Sequence, residues 1–136
     1  MRDRRFHLEI RTPEMLVYED DVTSVTAPGA LGSFQILAGH IPFLTVLEVG
    51  ELQIRESADT PQLISTSGGV FEVLRTGVTA LLDTAEWAHE IDVERAEAAQ
   101  QRALERLSAP GSEVDRARAE AALARARNRL RVAGHE

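Results

Sequence analysis

The hydrophobic pattern changes its period near Ile91, and this change constrains the fold more than any other feature of the chain. From Arg5 to about Glu86, apolar residues recur at every second position, as in strands with one buried face. Beyond Ile91 they recur at helical spacing. We therefore predict a β-domain over residues 1–87 and an α-helical domain over residues 88–136.

The first unit is predicted to be an antiparallel β-sandwich built from short strands. Phe6, Leu8 and Ile10 alternate with polar residues. Further strand-like runs lie at 22–26, 51–55, 63–66, 70–74 and 78–82. The first of these runs is expected to stop at residues 27–29, and a three-residue connection, 75–77, joins the last two with a glycine suited to a positive φ. No helical segment separates the strands, which argues against a parallel sheet.

Residues 32–42 are predicted to form a loop with buried aromatic and aliphatic anchors between glycines and a proline. His40 lies in this loop. By its chemistry alone we interpret it as a hydrogen-bonded loop residue rather than as a ligand.

The second unit is predicted to be an antiparallel hairpin of two helices. Asp92 is a suitable N-cap for the first helix, and Ile91 can pack onto its first turn. Ser112 begins an S-x-x-D capping box for the second helix, which should continue to about Val132. The helical spacing joins Val93, Ala96, Ala103 and Leu107 in the first helix and Ala119, Ala122, Leu123, Ala126 and Leu130 in the second.

Alanine dominates the expected contact between these helices. Because a buried methyl contributes little compared with a leucine side chain, a hairpin of this size should be marginal by itself. It is therefore expected to dock on the sandwich or on a partner, and a weakly docked helical pair can switch between two placements. A hairpin packed permanently on its own sandwich is the alternative.

Charge is distributed unevenly and argues against a nucleic-acid role. Residues 1–86 carry 6 Arg and 13 Asp or Glu, a net charge of −7, whereas residues 87–136 carry 9 of each. Nucleic-acid binding needs a basic face, which the first unit does not supply. Cysteine is absent, which excludes disulfides, thiolate metal sites and cysteine nucleophiles.

The apolar runs are too short for a membrane span, and no signal-peptide core follows the N-terminal charges. We expect a protein that remains inside the cell and does not insert into the membrane.

The residues suggest no catalytic or metal centre. The four histidines have no metal-ligand spacing, Gly29-Ala30-Leu31-Gly32-Ser33 lacks the ending of a phosphate loop, and Glu19-Asp20-Asp21 lacks the alternation of a calcium loop. The hairpin carries a set of arginines, at Arg95, Arg102, Arg125 and Arg129. They can converge on a phosphate or form a solvated face paired with nearby glutamates, and the residues alone favour the second reading.

Four segments, in order, resemble the epsilon subunit of bacterial F-type ATP synthases. They are Thr12-Pro13 through Val22, Gly32 through Gly39-His40-Ile41-Pro42, Ser67-Gly68-Gly69 through Val73, and Ile91-Asp92-Val93-Glu94-Arg95-Ala96. The resemblance covers essentially the whole chain. It differs at Ala38, where many members have proline, and in a longer loop before Ile36.

The resemblance implies a non-catalytic central-stalk subunit that couples rotation between the membrane rotor ring and the catalytic head. It implies contacts with the gamma subunit and the rotor-ring c subunits, for which Phe34, Gly39, His40 and Pro42 are candidates. The hairpin would extend toward the alpha and beta subunits of the head and inhibit ATP hydrolysis. The expected location is the cytoplasmic face of the inner membrane, as a peripheral part of the complex.

The resemblance also implies a regulatory ATP site, with no obligatory cofactor. Ile91-Asp92-x-x-Arg95-Ala96 is similar to the motif by which some members bind ATP on the folded hairpin. The residues carried over are Glu86, Ile91, Asp92, Arg95, Ala96, Arg102, Arg125 and Arg129. A free-standing ATP-binding sensor module is the alternative function.

Overall fold

The computed structural model describes residues 4–57 and 60–134. Ten strands precede two helices, and the chain divides into two compact units, Met1–Trp87 and Ala88–Glu136. The strands are β1 (Phe6–Arg11), β2 (Leu16–Val22), β3 (Ser24–Gly29), β4 (Gly32–Leu37), β5 (Phe43–Leu47), β6 (Gly50–Arg55), β7 (Gln62–Thr66), β8 (Gly69–Leu74), β9 (Gly77–Leu82) and β10 (Ala85–Trp87). A 3-10 turn (Ala88–Glu90) leads to α1 (Val93–Ser108) and α2 (Glu113–Gly134).

The strands form two five-stranded layers around one core. One layer has the order β5-β8-β9-β1-β2, and the other has β10-β7-β6-β3-β4. The layers are joined where Gly29 of β3 pairs with Leu47 of β5. Inward residues from both layers, among them Leu8, Ile54 and Phe71, are fully buried in a single cluster. The predicted sandwich is therefore confirmed.

One strand pair departs from the antiparallel prediction. β1 and β9 run parallel, with Leu8 opposite Val78 and Ile10 opposite Ala80. A parallel pair needs a long connection between its strands, and here the connection is almost the whole sandwich rather than a helix. The other pairings among the described strands are antiparallel.

The prediction of one strand over residues 22–26 was wrong. Val22 ends β2 and Ser24 begins β3, so the run is shared between the two layers. Thr23 lies at the crossing, where its amide and its hydroxyl both donate to the carbonyl of Arg55, at 2.8 and 3.0 Å. β3 then continues through residues 27–29, which were expected to end it.

The prediction of a loop over residues 32–42 was also wrong in its first half. Residues 32–37 form β4, which pairs along its whole length with β3. Phe34 and Ile36 face inward, whereas Ser33 and Gln35 are exposed, so the side chains of this segment alternate as in a strand. The loop is confined to residues 38–42.

The connection between β8 and β9 is shorter than predicted. Gly77 pairs with Leu74 as part of β9, which leaves a two-residue turn at Arg75 and Thr76. The glycine is required by close packing as well as by its φ of 154°, because a Cβ on Gly77 would lie 3.0 Å from the carbonyl oxygen of His7.

Both predicted helix caps are confirmed. The carboxylate of Asp92 accepts a hydrogen bond from the amide of Arg95 at 3.1 Å, and the hydroxyl of Ser112 accepts one from the amide of Asp115 at 3.1 Å. These bonds satisfy amides that have no partner inside their helix. The second helix ends at Gly134, two residues beyond the predicted end.

The predicted alanine contacts are largely confirmed. Buried residues of the two helices are Ala96, Ala103, Ala119, Leu123, Ala126, Asn128 and Val132. Val93, which the periodicity assigned to the packed face, is exposed at the first position of α1. Across residues 4–57 and 60–134, neither helix is long and apolar enough to cross a membrane.

Candidate functional site

Asp92 has a structural role at the head of α1. Its side chain accepts the hydrogen bond that caps the helix, and Ile91, immediately before it, is buried. A carboxylate at this position also complements the positive end of the helix dipole. Capping of α1 is therefore one role of Asp92 that needs no ligand.

The arginines of α1 flank its buried stripe. Arg95 and Arg102 are exposed, and each precedes a buried alanine, Ala96 and Ala103, two helical turns apart. Solvent or a ligand can therefore reach both arginine side chains.

On α2, Arg125 is exposed and Arg129, one turn later, is partly buried. In an antiparallel hairpin, positions equally far from the connection lie level with one another. Arg95 is therefore level with Arg125 and Asp92 with Arg129, whereas Arg102 lies closer to the connection. The end of the hairpin opposite the connection therefore carries six of the predicted ATP-site residues: Ile91, Asp92, Arg95, Ala96, Arg125 and Arg129.

Glu86 belongs to the other unit. It is partly buried in β10, opposite Ser65 of β7. The proposed grouping of Glu86 with the hairpin residues stays a prediction.

The residues expected to contact other stalk components differ in their surroundings. His40 and Pro42 are exposed, and the His40 ring packs edge-on against Phe43 with 5.6 Å between ring centroids. Gly39 has a φ of 85°, a conformation that glycine adopts without strain. Phe34 is partly buried and packs edge-on against two phenylalanines at 5.3 and 5.8 Å, so much of its ring is committed to the core.

An exposed apolar surface on the sandwich was missed by the sequence analysis. Leu44 and Val46 of β5, Val70 of β8 and Leu81 of β9 point outward from neighbouring strands, and we call them the outer apolar face. Leu44 is 67% exposed, Val46 59% and Leu81 51%. Val46, Val70 and Leu81 form one continuous cross-strand row.

A signal for this surface is present in the sequence. Residues 43–47 and 78–82 are apolar except for one threonine each, so they do not alternate regularly between apolar and polar side chains. Such strands are apolar on both faces, and a sandwich buries only one of them. The neighbouring cross-strand row becomes acidic: it runs from Leu44 through Glu72 and Thr79 to Glu9 and Glu19. The apolar row itself continues from Leu81 to Arg11 of β1.

No group of three histidine or acidic side chains suited to a metal ion occurs in the part of the chain that the structure describes.

Family models for ATP synthase delta/epsilon chains match the chain in two consecutive parts. The β-sandwich domain model matches residues 5–88, and the long α-helix domain model matches residues 89–134. The chain belongs to the ATP synthase delta/epsilon family. The resemblance drawn from the four sequence segments is thereby confirmed, and the prediction of a non-catalytic ATP synthase subunit agrees with this membership.

Individual relatives agree with this membership. The chain is 46% identical to the ATP synthase epsilon chain of Desulforamulus reducens over 106 residues, which is 78% of this chain and 80% of the relative. It is 47% identical to that of Desulfosudis oleivorans over 102 residues, 75% of this chain and 77% of the relative.

A chain in the Euglena gracilis mitochondrial ATP synthase structure superposes with a TM-score of 0.83 at 22% identity. The match covers 97% of this chain and 82% of that one, and at this identity it establishes the shared fold.

Proposed function

We propose that this chain is a non-catalytic central-stalk subunit of an F-type ATP synthase, which couples rotation between the rotor ring and the catalytic head. The observation that carries the proposal is the outer apolar face, on a chain whose relatives are named as ATP synthase epsilon chains. Contiguous exposed apolar side chains are characteristic of a surface that a partner covers.

The gamma subunit is the proposed partner of this face. The row Val46–Val70–Leu81 supplies apolar contact, and the acidic side chains at Glu72 and Glu9 border it. A partner with an apolar patch and basic residues along one border would match both features.

Substitutions on the outer apolar face test this assignment. Val46→Glu with Leu81→Glu places two charges in the proposed contact and should weaken co-purification with gamma by at least about tenfold. Val114→Glu is the matched control, because Val114 is 60% exposed on α2, in the unit that does not carry the face. If the folded double variant co-purified with gamma as well as the wild type does, the assignment of gamma to this surface would be wrong.

The loop of residues 38–42 is the proposed contact with the c subunits of the rotor ring. It presents His40, Ile41 and Pro42 to solvent, and Ile41 is 78% exposed. This arrangement would hold the subunit at the cytoplasmic face of the inner membrane as a peripheral component.

The hairpin is proposed to regulate hydrolysis by extending toward the alpha and beta subunits. The exposed arginines of α2 would then face acidic segments of the head. Small alanine contacts support this proposal, because little apolar area opposes a change of placement.

ATP is proposed as a ligand that stabilises the folded hairpin. Arg95 and Arg125 lie level with each other in the hairpin, and each guanidinium group can donate two parallel hydrogen bonds to phosphate oxygens.

Arg125→Ala with Arg129→Ala should weaken ATP binding to the isolated subunit by about tenfold or more. Calorimetry that detects no heat of binding with the wild-type chain would end this proposal. A chain that binds ATP but does not bind gamma would favour the alternative function, a free-standing ATP-binding sensor module.

A further inference from the structure

A pocket of about 690 Å³ opens at the end of the sandwich where β1 begins and β4 ends. The N-terminal segment from Arg4, the loop of residues 38–42 and the turn between β8 and β9 enclose it. This volume lies in the range of pockets that bind small molecules.

The charge of the pocket is opposite to that of the unit that carries it. Among the residues that the structure describes, its lining contains arginines and histidines but no aspartate or glutamate, although residues 1–86 have a net charge of −7. Arg4 and Arg75 are exposed, and among the described residues no carboxylate lies within ion-pair distance of either.

Two further cations of the lining are already engaged. His7 lies between Glu19 and Asp21, and Arg5 donates to the carbonyl of Asp21 at 3.4 Å. Arg4 is held differently, because its guanidinium lies against Gly39, at 3.4 Å from the position that a Cβ would take there. Arg4 and Arg75 are therefore the arginines of the lining that can bind an anion without losing one of these bonds, and His40 is a further member of the lining.

The inner wall of the pocket is apolar. Ile36, Val73 and Val78 are almost fully buried and form its floor, whereas Leu37 and Ile41 are exposed at its rim. A charged opening above an apolar wall fits a ligand that has an anionic group and a hydrophobic part.

We propose that this pocket binds a phosphate-bearing anion. Arg4 and Arg75 hold the phosphate oxygens, and the wall at Leu37 and Ile41 accepts an attached apolar chain when there is one. Arginine suits this role because its planar guanidinium donates two parallel hydrogen bonds to phosphate. Free phosphate and a phospholipid headgroup share this chemistry.

The loop of residues 38–42 belongs both to this pocket and to the proposed rotor-ring contact, so the ligand is tested on the full chain alone, where no ring covers the loop. The amide NMR shifts of Gly39, His40, Thr76 and Gly77 are followed while one of three probes is added. The probes are inorganic phosphate, dihexanoyl phosphatidylglycerol kept below its micelle concentration, and hexyl maltoside as a neutral amphiphile.

Saturable shifts at these amides with either phosphate probe are the expected result. Lipid binding at least tenfold tighter than phosphate binding identifies a headgroup as the source, and equal affinities identify free phosphate. Arg4→Gln with Arg75→Gln should weaken binding by at least about tenfold. Arg11→Gln should leave it unchanged, because Arg11 pairs with Glu9 outside the pocket.

Three results of these titrations would overturn the proposal. They are the absence of shifts with both phosphate probes, equal shifts with the maltoside, and wild-type affinity in the Arg4→Gln, Arg75→Gln variant. Circular dichroism of the variants verifies that each has the wild-type fold. Binding that survives high salt unchanged would also contradict a site held by exposed arginines.

Discussion

His7 connects the carboxylates of two residues on the neighbouring strand. Its Nε2 lies 2.8 Å from Glu19 and its Nδ1 lies 3.2 Å from Asp21. These hydrogen bonds, with that to Glu19 the stronger cause, raise the pKa of His7 above its ordinary value of 6.5. Only the protonated imidazole donates from both nitrogens, so the folded β1–β2 pair favours the charged form.

The contribution of His7 to the stability of the fold depends on pH. Because the pKa of His7 is raised by folding, its contribution to stability is complete below the unfolded-state pKa and is lost as pH rises through the folded-state pKa. An NMR titration should give His7 a pKa above 6.5 in the wild type. Glu19→Gln should lower that pKa.

Asp20→Asn is the matched control for this titration. Asp20 lies between the two partners in sequence, but its carboxylate accepts from the amide of Asp21 instead of from the imidazole. Its substitution should change the His7 pKa less than Glu19→Gln does. A wild-type His7 pKa at or below 6.5 would show that the two hydrogen bonds do not persist in solution.

At the scale of single elements, Asp92 determines where α1 begins. Asp92→Ala removes the side-chain acceptor for the Arg95 amide and should cost the helical unit about 1 kcal/mol of stability. Asp92→Asn keeps an acceptor of similar quality and should leave stability nearly unchanged. Denaturation followed by helical circular dichroism measures both variants. Equal stability of Asp92→Ala and the wild type would show that the cap contributes nothing.

The helices were predictable because their signals are local. Asp92 and Ser112 act on amides three residues away, and the connection between the helices is short. A sequence window therefore contains the whole interaction that positions each helix start. The exposed Val93 is the exception, because periodicity does not reveal where the packed stripe begins.

The strand boundaries depend on distant pairings and were predicted less well. Thr23 marks a crossing between layers that is fixed by the carbonyl of Arg55, 32 residues away. Gly69 is required by another distant contact, because a Cβ there would lie 2.1 Å from the carbonyl oxygen of Leu81. Such contacts exist only after the layers assemble, so no local sequence pattern predicts them.

The candidate sites also divide into one that local sequence signals predicted and others that depend on distant pairings. The motif around Ile91 and Asp92 was visible in the sequence, whereas the outer apolar face combines β5, β8 and β9 and needed their register to be known. The pocket at Arg4 and Arg75 likewise joins segments some 70 residues apart. Residue identity indicates which groups are available, and topology decides which of them meet.

At the scale of the whole molecule, the two units differ in their packing and in their charge. The sandwich buries Phe71, Leu8 and many other large side chains and is strongly acidic, whereas the hairpin buries mainly alanine and is neutral overall. We therefore expect the sandwich to provide a rigid anchor in the stalk and the hairpin to provide the regulated element.

Removal of the hairpin separates these two roles. A chain ending after residue 87 keeps the outer apolar face, the loop of residues 38–42 and all ten strands, so it should still assemble into the complex. It lacks the helices that are proposed to oppose rotation in the hydrolysis direction. The matched control is a full-length chain expressed and assembled in the same way.

The most direct test is the rate of ATP hydrolysis by the assembled complex with and without residues 88–136. We expect equal amounts of assembled complex and a higher hydrolysis rate without the hairpin. An unchanged rate in a fully assembled complex would contradict the regulatory role of the hairpin.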